Sequence, residues 1–414
     1  MTKLKLMLLL SFFATTTFGQ GMKSIREFGV LPQNSPEKNK INLQKAIDWA
    51  TQSGAALFVE PSDEPYPVAT GIKLKKNVSL IGVHGPTGRG TKHPTKRQPV
   101  GSVFSVVDDN EPFLIVESAT HIKGIQFWYP NQTWTDPEKI IKYKPTIAMS
   151  QETSVLGVTL SCLTFYGEYI AMDFNAVGKT ERGGHNMSEL TLFEHCYGYP
   201  LSGEFIRIDR SYDVPRIIHC HVNPSNQREF GRSFRRPVID AVMSLKTFAY
   251  SIQNTDNAQL MDLFTFGTYG GIYLGYATYG QLTNFNFDCV GVGILKQGNN
   301  TKNRNWQIAQ GSIIANIGER VEDIHPIIIE GEGHTSLTNV ECFSGGNGAL
   351  TTLTKSWDYM LVRGNKKLTI TNFGSRMRNY ESSNPITIEN PNAVIQFSGC
   401  IDKNENLYNA IIEP

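Results

Sequence analysis

The sequence predicts an all-β fold, a β-solenoid closed at its N-terminal end by one helix. Three observations predict it. Short apolar runs of strand character recur from about residue 77 onward, the same landmarks return within them, and the intervals between landmarks vary. One landmark is a strand ending at or near cysteine: VTLSC, LFEHC, RIIHC, NFDC, TNVEC and QFSGC. A second is a glycine leading into an I-x-apolar strand, in GEYIAMD, GEFIRID, GGIYLGY and, less closely, GVGILKQ. A third is a carboxylate closing that strand, at Asp173, Asp209, Glu330 and Glu389. Gly167 and Gly203 lie 36 residues apart, whereas Leu260, Leu282 and Trp306 are separated by 22 and 24. A fixed core pattern with variable spacing describes rungs of constant size joined by loops of different length. A sandwich would show hairpin turns and one polar face per strand, and no such hairpin signal is present.

Composition agrees with this class. In 414 residues the hydrophobic fraction is 40% and the charged fraction 19%, which suits a folded chain and not a disordered one. Lys+Arg is 39 against 38 for Asp+Glu, so the basic excess that a general nucleic-acid binder needs is missing. At the N-terminus, Lys3 and Lys5 precede the apolar run LMLLLSFFATTTFG, and small residues follow. That is the pattern of a secretory signal peptide over residues 1–20, too short for a comfortable membrane span. The expected protein is therefore secreted or periplasmic, without stable membrane insertion, and residues 21–414 form a single solenoid domain with a cap at about 25–60.

The cap is the run INLQKAIDWATQS, residues 41–53, where Ile41, Ala46, Ile47 and Ala50 make an apolar stripe and Gly54 ends the helix. A solenoid needs its open apolar end covered, and this helix stands where the cover belongs. The six cysteines, Cys162, Cys196, Cys220, Cys289, Cys342 and Cys400, read as small, reduced core residues at equivalent places in the repeat. Leu160, Ile218, Phe287 and Val340 stand two residues before four of them, and alternation turns each pair inward together. Disulfides between neighbouring rungs are the other reading in an oxidising compartment.

The segments REFGV, LQKAIDWA, GAALFVEP and YPVATGIKLKKNVSLIGVHG, about residues 25–84, resemble the opening of right-handed parallel β-helix proteins of the pectate-lyase/polygalacturonase superfamily. LPQNSPEKN stands where that family has a D-G-x-x-D turn. The resemblance implies a right-handed parallel β-helix and a preference for carbohydrate; it fixes no reaction, because the fold hosts hydrolases, lyases, epimerases and non-catalytic spikes. Stacked strands suit a sugar chain, since they offer rows of outward side chains about 4.8 Å apart. Hydrolysis then needs two carboxylates, one protonated and one ionised. Elimination from a uronate needs a base and a cation.

The candidates follow from that chemistry. Asp173 and Asp209, like Glu168 and Glu204, occupy matching places in the two GE[YF]IxxD segments, so adjacent rungs would set each pair side by side and raise one pKa. Acceptance of turn N–H groups at strand ends is the competing role. Asp288, in NFDCVGVGI, resembles a polygalacturonase segment that carries two adjacent aspartates before its cysteine; here Phe287 replaces one of them. Thr268-Tyr269-Gly270-Gly271 and Ala309-Gln310-Gly311 replace that family's N-T-D-G and G-H-G, so its full machinery is absent. His219 and His221 flank Cys220 and are expected to point outward, with His195 stacked one rung earlier. The loop NPSNQREFGRSFRRP carries Arg228, Arg232, Arg235 and Arg236 against Glu229 alone and leads to Asp240, which suits an acidic or sulfated glycan. GPTGRGTKH is no phosphate loop, because Thr91 stands where lysine is required.

The resulting expectation is a glycoside hydrolase acting on a polysaccharide or oligosaccharide. Its catalytic carboxylates would come from Asp173, Asp209, Asp240 and Asp288, with substrate held by His195, Arg207, Tyr212, His219, His221, Arg228 and Arg232. No cofactor is expected for that chemistry. A uronate lyase or epimerase, with calcium as its cation, is the first alternative, and a non-catalytic glycan-binding or structural β-helix the second.

Overall fold

The computed structural model describes residues 21–84, 93–225, 234–297, 305–315, 325–344, 360–364, 367–376, 386–401 and 406–412. The N-terminal segment read as a signal peptide lies outside these, as do Arg228 and Arg232. The strands wind into a parallel β-helix built from a 20-stranded and a 13-stranded sheet. One rung shows the plan. A first leg, Thr159–Ser161, bends at Cys162 into a second leg, Thr164–Tyr166. A turn then leads to the third leg, Ile170–Asn175. The first and second legs belong to the larger sheet and the third legs to the smaller. From Arg216–Val222 to His334–Ser344 the first two legs are continuous, as in Ala258–Phe266 and Gly280–Val290, and they separate again into Lys367–Thr371 and Gly374–Arg376. Named strands pair in parallel except the last two, Val394–Ile401 and Leu407–Ile412, which are antiparallel.

The bend between first and second legs is a single residue in the left-handed conformation. Cys162, His195, His219, Asp262, Asn284, Gln310, Asn339 and Asn372 hold it with φ between 52° and 56°, flanked by Gly124 and Gly399. Apolar residues frame every bend: Leu160 and Leu163, Ile217 and Cys220, Leu260 and Leu263, Leu337 and Val340 are all buried. The register stacks these frames, for example Ile217 on Leu260 on Leu282 on Ile308. Trp306 therefore aligns with Gly280 and not with Leu282, a correction to the spacing read from sequence. Side chains trade volume between rungs. Gly311 is required because a Cβ there would come within 2.1 Å of the Phe285 ring that leans over it.

The left-handed bends also correct the cysteine reading. A residue at positive φ breaks period-two alternation, so Ile218 and Cys220, on either side of His219, face opposite ways: Ile218 is part-exposed and Cys220 buried. Cys162 is itself a bend residue, and Cys289 sits at a second left-handed position near the end of its strand; both are only partly buried. Cys196, Cys220, Cys342 and Cys400 are core residues, and all six cysteines are free.

The cap helix, α1 (Pro36–Ser53), starts earlier than its apolar run. Ser35 caps it by accepting from the Lys38 N–H, and Pro36 at the first position needs no partner for a missing N–H. Gly54, at φ 60°, ends it. Its buried side is Leu43, Ala46, Ile47 and Ala50, packed on the strands Tyr66–Val68 and Ile72–Leu74, while Ile41 is 56% exposed and not part of the stripe. A second helix, α2 (Arg236–Ser244), occupies the insertion between Val222 and Phe248, where the sequence reading had only an arginine-rich loop.

Asn39 ties the cap to the barrel. Fully buried on α1, its Nδ2 donates to Leu31 and Pro67 carbonyls at 2.8 Å each, and its Oδ1 accepts from the Leu31 N–H at 3.0 Å and from Asn34 at 2.9 Å. Asn39→Ala strands these groups and is expected to cost about 2–4 kcal/mol of stability. Denaturant unfolding measures the loss, and hydrogen exchange should place the early opening within residues 21–81; uniform exchange with unchanged stability contradicts the assignment.

Candidate functional site

The outward face of the second leg changes character along the axis. In the early rungs it is covered. Val103, Trp128 and Tyr166 form a buried cluster there, Tyr166 donates to Gln126 Oε1, and Gln126 reaches the Val100 carbonyl. From Tyr197 onward the same line is part-exposed: Tyr197, His221, Phe264, Asn286 and Ser312 follow one another in register. His221 stacks on Phe264 with centroids 4.3 Å apart, and Tyr197 lies 5.5 Å from His221.

The bend residues form the margin of this face. His195 and His219 rings stand 4.7 Å apart, as the sequence suggested. His219 Nδ1 donates to Asp262 Oδ2 at 2.5 Å, and the Tyr197 hydroxyl donates to His219 Nε2 at 3.0 Å. A carboxylate only accepts, so its bond assigns the imidazole proton to Nδ1 and leaves Nε2 as the acceptor. The result is a continuous Asp262–His219–Tyr197 chain, with the His219 and Asp262 side chains 44% and 45% exposed. Burial holds the Tyr197 phenol above its ordinary range. Burial, followed by the neighbouring His219, pulls His221 down to about 4, so it is neutral at pH 7. Neither Asp262 nor Tyr197 was singled out from sequence; the available signal was the recurring apolar–x–bend–apolar frame, which places Asp262 directly after His219 in the stack.

At the far edge of the same leg stands Asp288, raised by half-burial against the opposing hydrogen bonds from Cys289. Gly267 donates its N–H to the Asp288 carbonyl, and Ile239 of α2 approaches Gly267. The next residue of α2 is Asp240; its carboxyl is raised by burial, opposed by Arg236. Thus His195, His219 and His221 gather at one margin, with Asp288 two rungs further along the same leg and Asp240 on α2.

Asp173, Asp209, Arg207 and Tyr212 do not join them. They lie on the smaller sheet, and the expected side-by-side carboxylates are absent there. The register pairs Ile170 with Glu204, a shift of two residues from the motif alignment, so Asp173 meets Arg207 and Asp209 meets Asn175. At the preceding turn Glu168 is fully buried, whereas Glu204 is part-buried. Asp173 and Glu204 both pair with Arg207; Asp209 accepts from Asn254 and pairs with Arg210. Tyr212, past the left-handed Arg210, sits beside Glu189. Glu330 and Glu389 are bridged by Arg363, a structural role for strand-end carboxylates. Among the described residues no group of three or more His, Cys, Asp or Glu side chains is gathered to hold a metal.

Comparison with solved structures places this chain among right-handed parallel β-helix proteins. DFA-IIIase from Arthrobacter chlorophenolicus A6 in complex with GF2 aligns with a TM-score of 0.60 at 9% identity, over 94% of this chain and 97% of that one. The tailspike of E. coli bacteriophage HK620 in complex with a hexasaccharide gives 0.53 at 12%, covering 93% and 66%. The N-terminal fragment of bacteriophage Phi29 gene product 12 gives 0.50 at 14%, covering 99% and 76%. No family model and no curated protein matches the sequence.

Glu168 remains apart from both faces. It is fully buried, its Oε2 accepts from the Gly167 N–H at 3.1 Å, and its Oε1 has no hydrogen-bond partner among the described residues. Gly198 lies over it so closely that a Cβ there would come within 2.4 Å of Oε1. Burial pushes the acid from 4.5 up to about 8, so it is neutral in the folded protein at pH 7. Unfolded chain releases this proton from about 4.5 upward and folded chain only near 8. Stability from this group is therefore complete below 4.5 and falls as pH rises to 8, by several kcal/mol. Glu168→Gln should flatten that part of the stability–pH profile measured by denaturant unfolding; a parallel profile in the variant would contradict it.

Proposed function

We propose that this protein is an exported glycan-cleaving enzyme whose reaction occurs on the open second-leg face. The Asp262–His219–Tyr197 chain carries this reading, because it ends in a hydroxyl on an accessible margin. Such a chain takes up a proton and gives it back. As Tyr197 takes a proton from substrate carbon, its own hydroxyl proton passes to His219 Nε2, and Asp262 stabilises the imidazolium. On a uronate residue, loss of the C5 proton and departure of the C4 glycosidic oxygen leave a C4–C5 double bond. The proton held by His219 then returns through Tyr197 to the departing oxygen, so charge balances at the end of the cycle. The developing carboxylate charge needs a cation, and the arginine-rich segment that follows Val222 in sequence supplies candidates in Arg228 and Arg232. Saccharide complexes of two structural neighbours, with GF2 and with a hexasaccharide, support a glycan as the partner.

A specific observation favours hydrolysis as a second reading: the carboxyls of Asp288 and Asp240 are both raised by burial. Glycosidic hydrolysis requires one carboxyl as acid, and burial shifts both in the direction that role needs.

One assay separates the readings. The full chain is incubated with neutral, uronic and sulfated polysaccharides, and reducing ends and ultraviolet absorbance are followed together. Elimination yields both signals on a uronate polymer, and Tyr197→Phe is expected to lower kcat by about 10²-fold or more, with His219→Ala and Asp262→Asn also impaired. Hydrolysis yields reducing ends alone and is lost in Asp288→Asn or Asp240→Asn. Binding without new reducing ends on any polymer would leave a non-catalytic glycan binder and overturn the enzyme.

A further inference from the structure

A second recess lies on the third leg. Its outward line runs in register from Lys73 through Ile115, Ala148 and Asp173 to Arg207. The short Ala148 side chain leaves a groove of about 490 Å³ between larger neighbours. Pro112 and Pro145 form one apolar edge. The other edge is a loop held in place: Gln151 Oε1 accepts from the Val177 and Gly178 N–H groups, and Glu152 pairs with Lys73 at 2.7 Å. At the C-terminal end, Arg207 pairs with Asp173 and Glu204, while its Nε is buried without a hydrogen-bond partner among the described residues.

We propose that this groove is a second saccharide site, for a neutral glycan, on a different face from the Asp262–His219–Tyr197 chain. Its volume lies within the range of small-molecule sites. The Ile115–Ala148 strip and the two prolines present C–H surface to a sugar ring. The Asp173–Arg207 and Lys73–Glu152 pairs flank that strip and offer acceptors and donors to vicinal hydroxyls. Charge selects against acidic sugars: Lys73 and Arg207 face Glu117, Glu152 and Asp173 in the lining, an excess of one negative charge. The site is independent of which reaction, if any, the second-leg face performs.

The test is a methyl NMR titration of the full chain with cellohexaose, xylohexaose and mannohexaose, and with trigalacturonate as the anionic control. Ile115 reports on this groove, and Ile218, beside His219, reports on the second leg. At least one neutral hexasaccharide should shift Ile115 and leave Ile218 still. Ala148→Trp, which fills the recess without changing charge, should weaken that binding about tenfold or more at an unchanged melting temperature. Tyr197→Phe should leave it intact. Absence of any Ile115 shift at millimolar sugar overturns the proposal. So does binding that Ala148→Trp spares, or trigalacturonate shifting Ile115 as strongly as the neutral sugars. If Ala148→Trp lowers the melting temperature, Ala148→Met repeats the block with a smaller side chain.

Discussion

Every rung must turn from its first leg to its second, and one residue in the left-handed conformation makes the turn. For most L-residues that conformation costs on the order of 1–2 kcal/mol, and Asn, Asp, His and Gly tolerate it best. The bend column obeys this: glycine at Gly124 and Gly399, and mainly histidine, aspartate and asparagine between them. Because the rungs are in register, each bend side chain comes beside the next. In the C-terminal half the column makes an amide contact, Asn372 to Asn339 at 3.0 Å. In the middle the same geometry sets His195, His219 and Asp262 together. The proton chain thus arises where the fold already demands polar residues, and only Tyr197, on the adjoining line, has to be added.

The bend is held because the residues two before it and one after it are buried, as Ile217 and Cys220 are around His219. Along the second leg the residues just after the bend include Cys196, Cys220, Leu263, Phe285, Gly311 and Val340, a column in which large and small side chains compensate across rungs. Cysteine belongs to that column by size: Cys196 and Cys220 are neighbours, and burial raises the Cys196 thiol far above its ordinary range, so it stays protonated and inert. Rigid inward packing fixes the outward direction of the bend residue between its two apolar neighbours. A substitution that empties the core under His219 would disturb its alignment with Asp262 without touching either.

The fold was legible because repetition amplifies weak local signals. No single run such as LFEHC identifies a solenoid, but its return at variable intervals does, and the cap is marked by Ser35, Pro36 and Gly54 besides its apolar face. The site was legible in part. His195, His219 and His221 could be placed from their position beside cysteines. Asp262 could not, because MDLF carries no cysteine, and the landmark followed was the cysteine and not the bend. The carboxylate pairs failed for a different reason: matching motifs give matching registers only if the preceding turns match, and these strands pair two residues away from the motif alignment. The helix that carries Asp240 was hidden by composition, since RPVIDAVMS opens in a run of arginines and buries only Val238, Val242 and Met243.

The difference between the two polar faces is one of saturation. On the third leg, Asp173 and Glu204 share Arg207, and Asp209 is held by Asn254 and Arg210. Groups so compensated can offer donors and acceptors to hydroxyls. On the second leg, the Asp262–His219 pair compensates only one side of the imidazole; the other side leads through Tyr197 toward solvent. His221, beside it, is kept neutral, so it adds no positive charge that would compete with an imidazolium at His219. The two proposed roles, binding on the third-leg face and chemistry on the second-leg margin, follow one rule: proton transfer needs a chain whose inner end is satisfied and whose outer end is not.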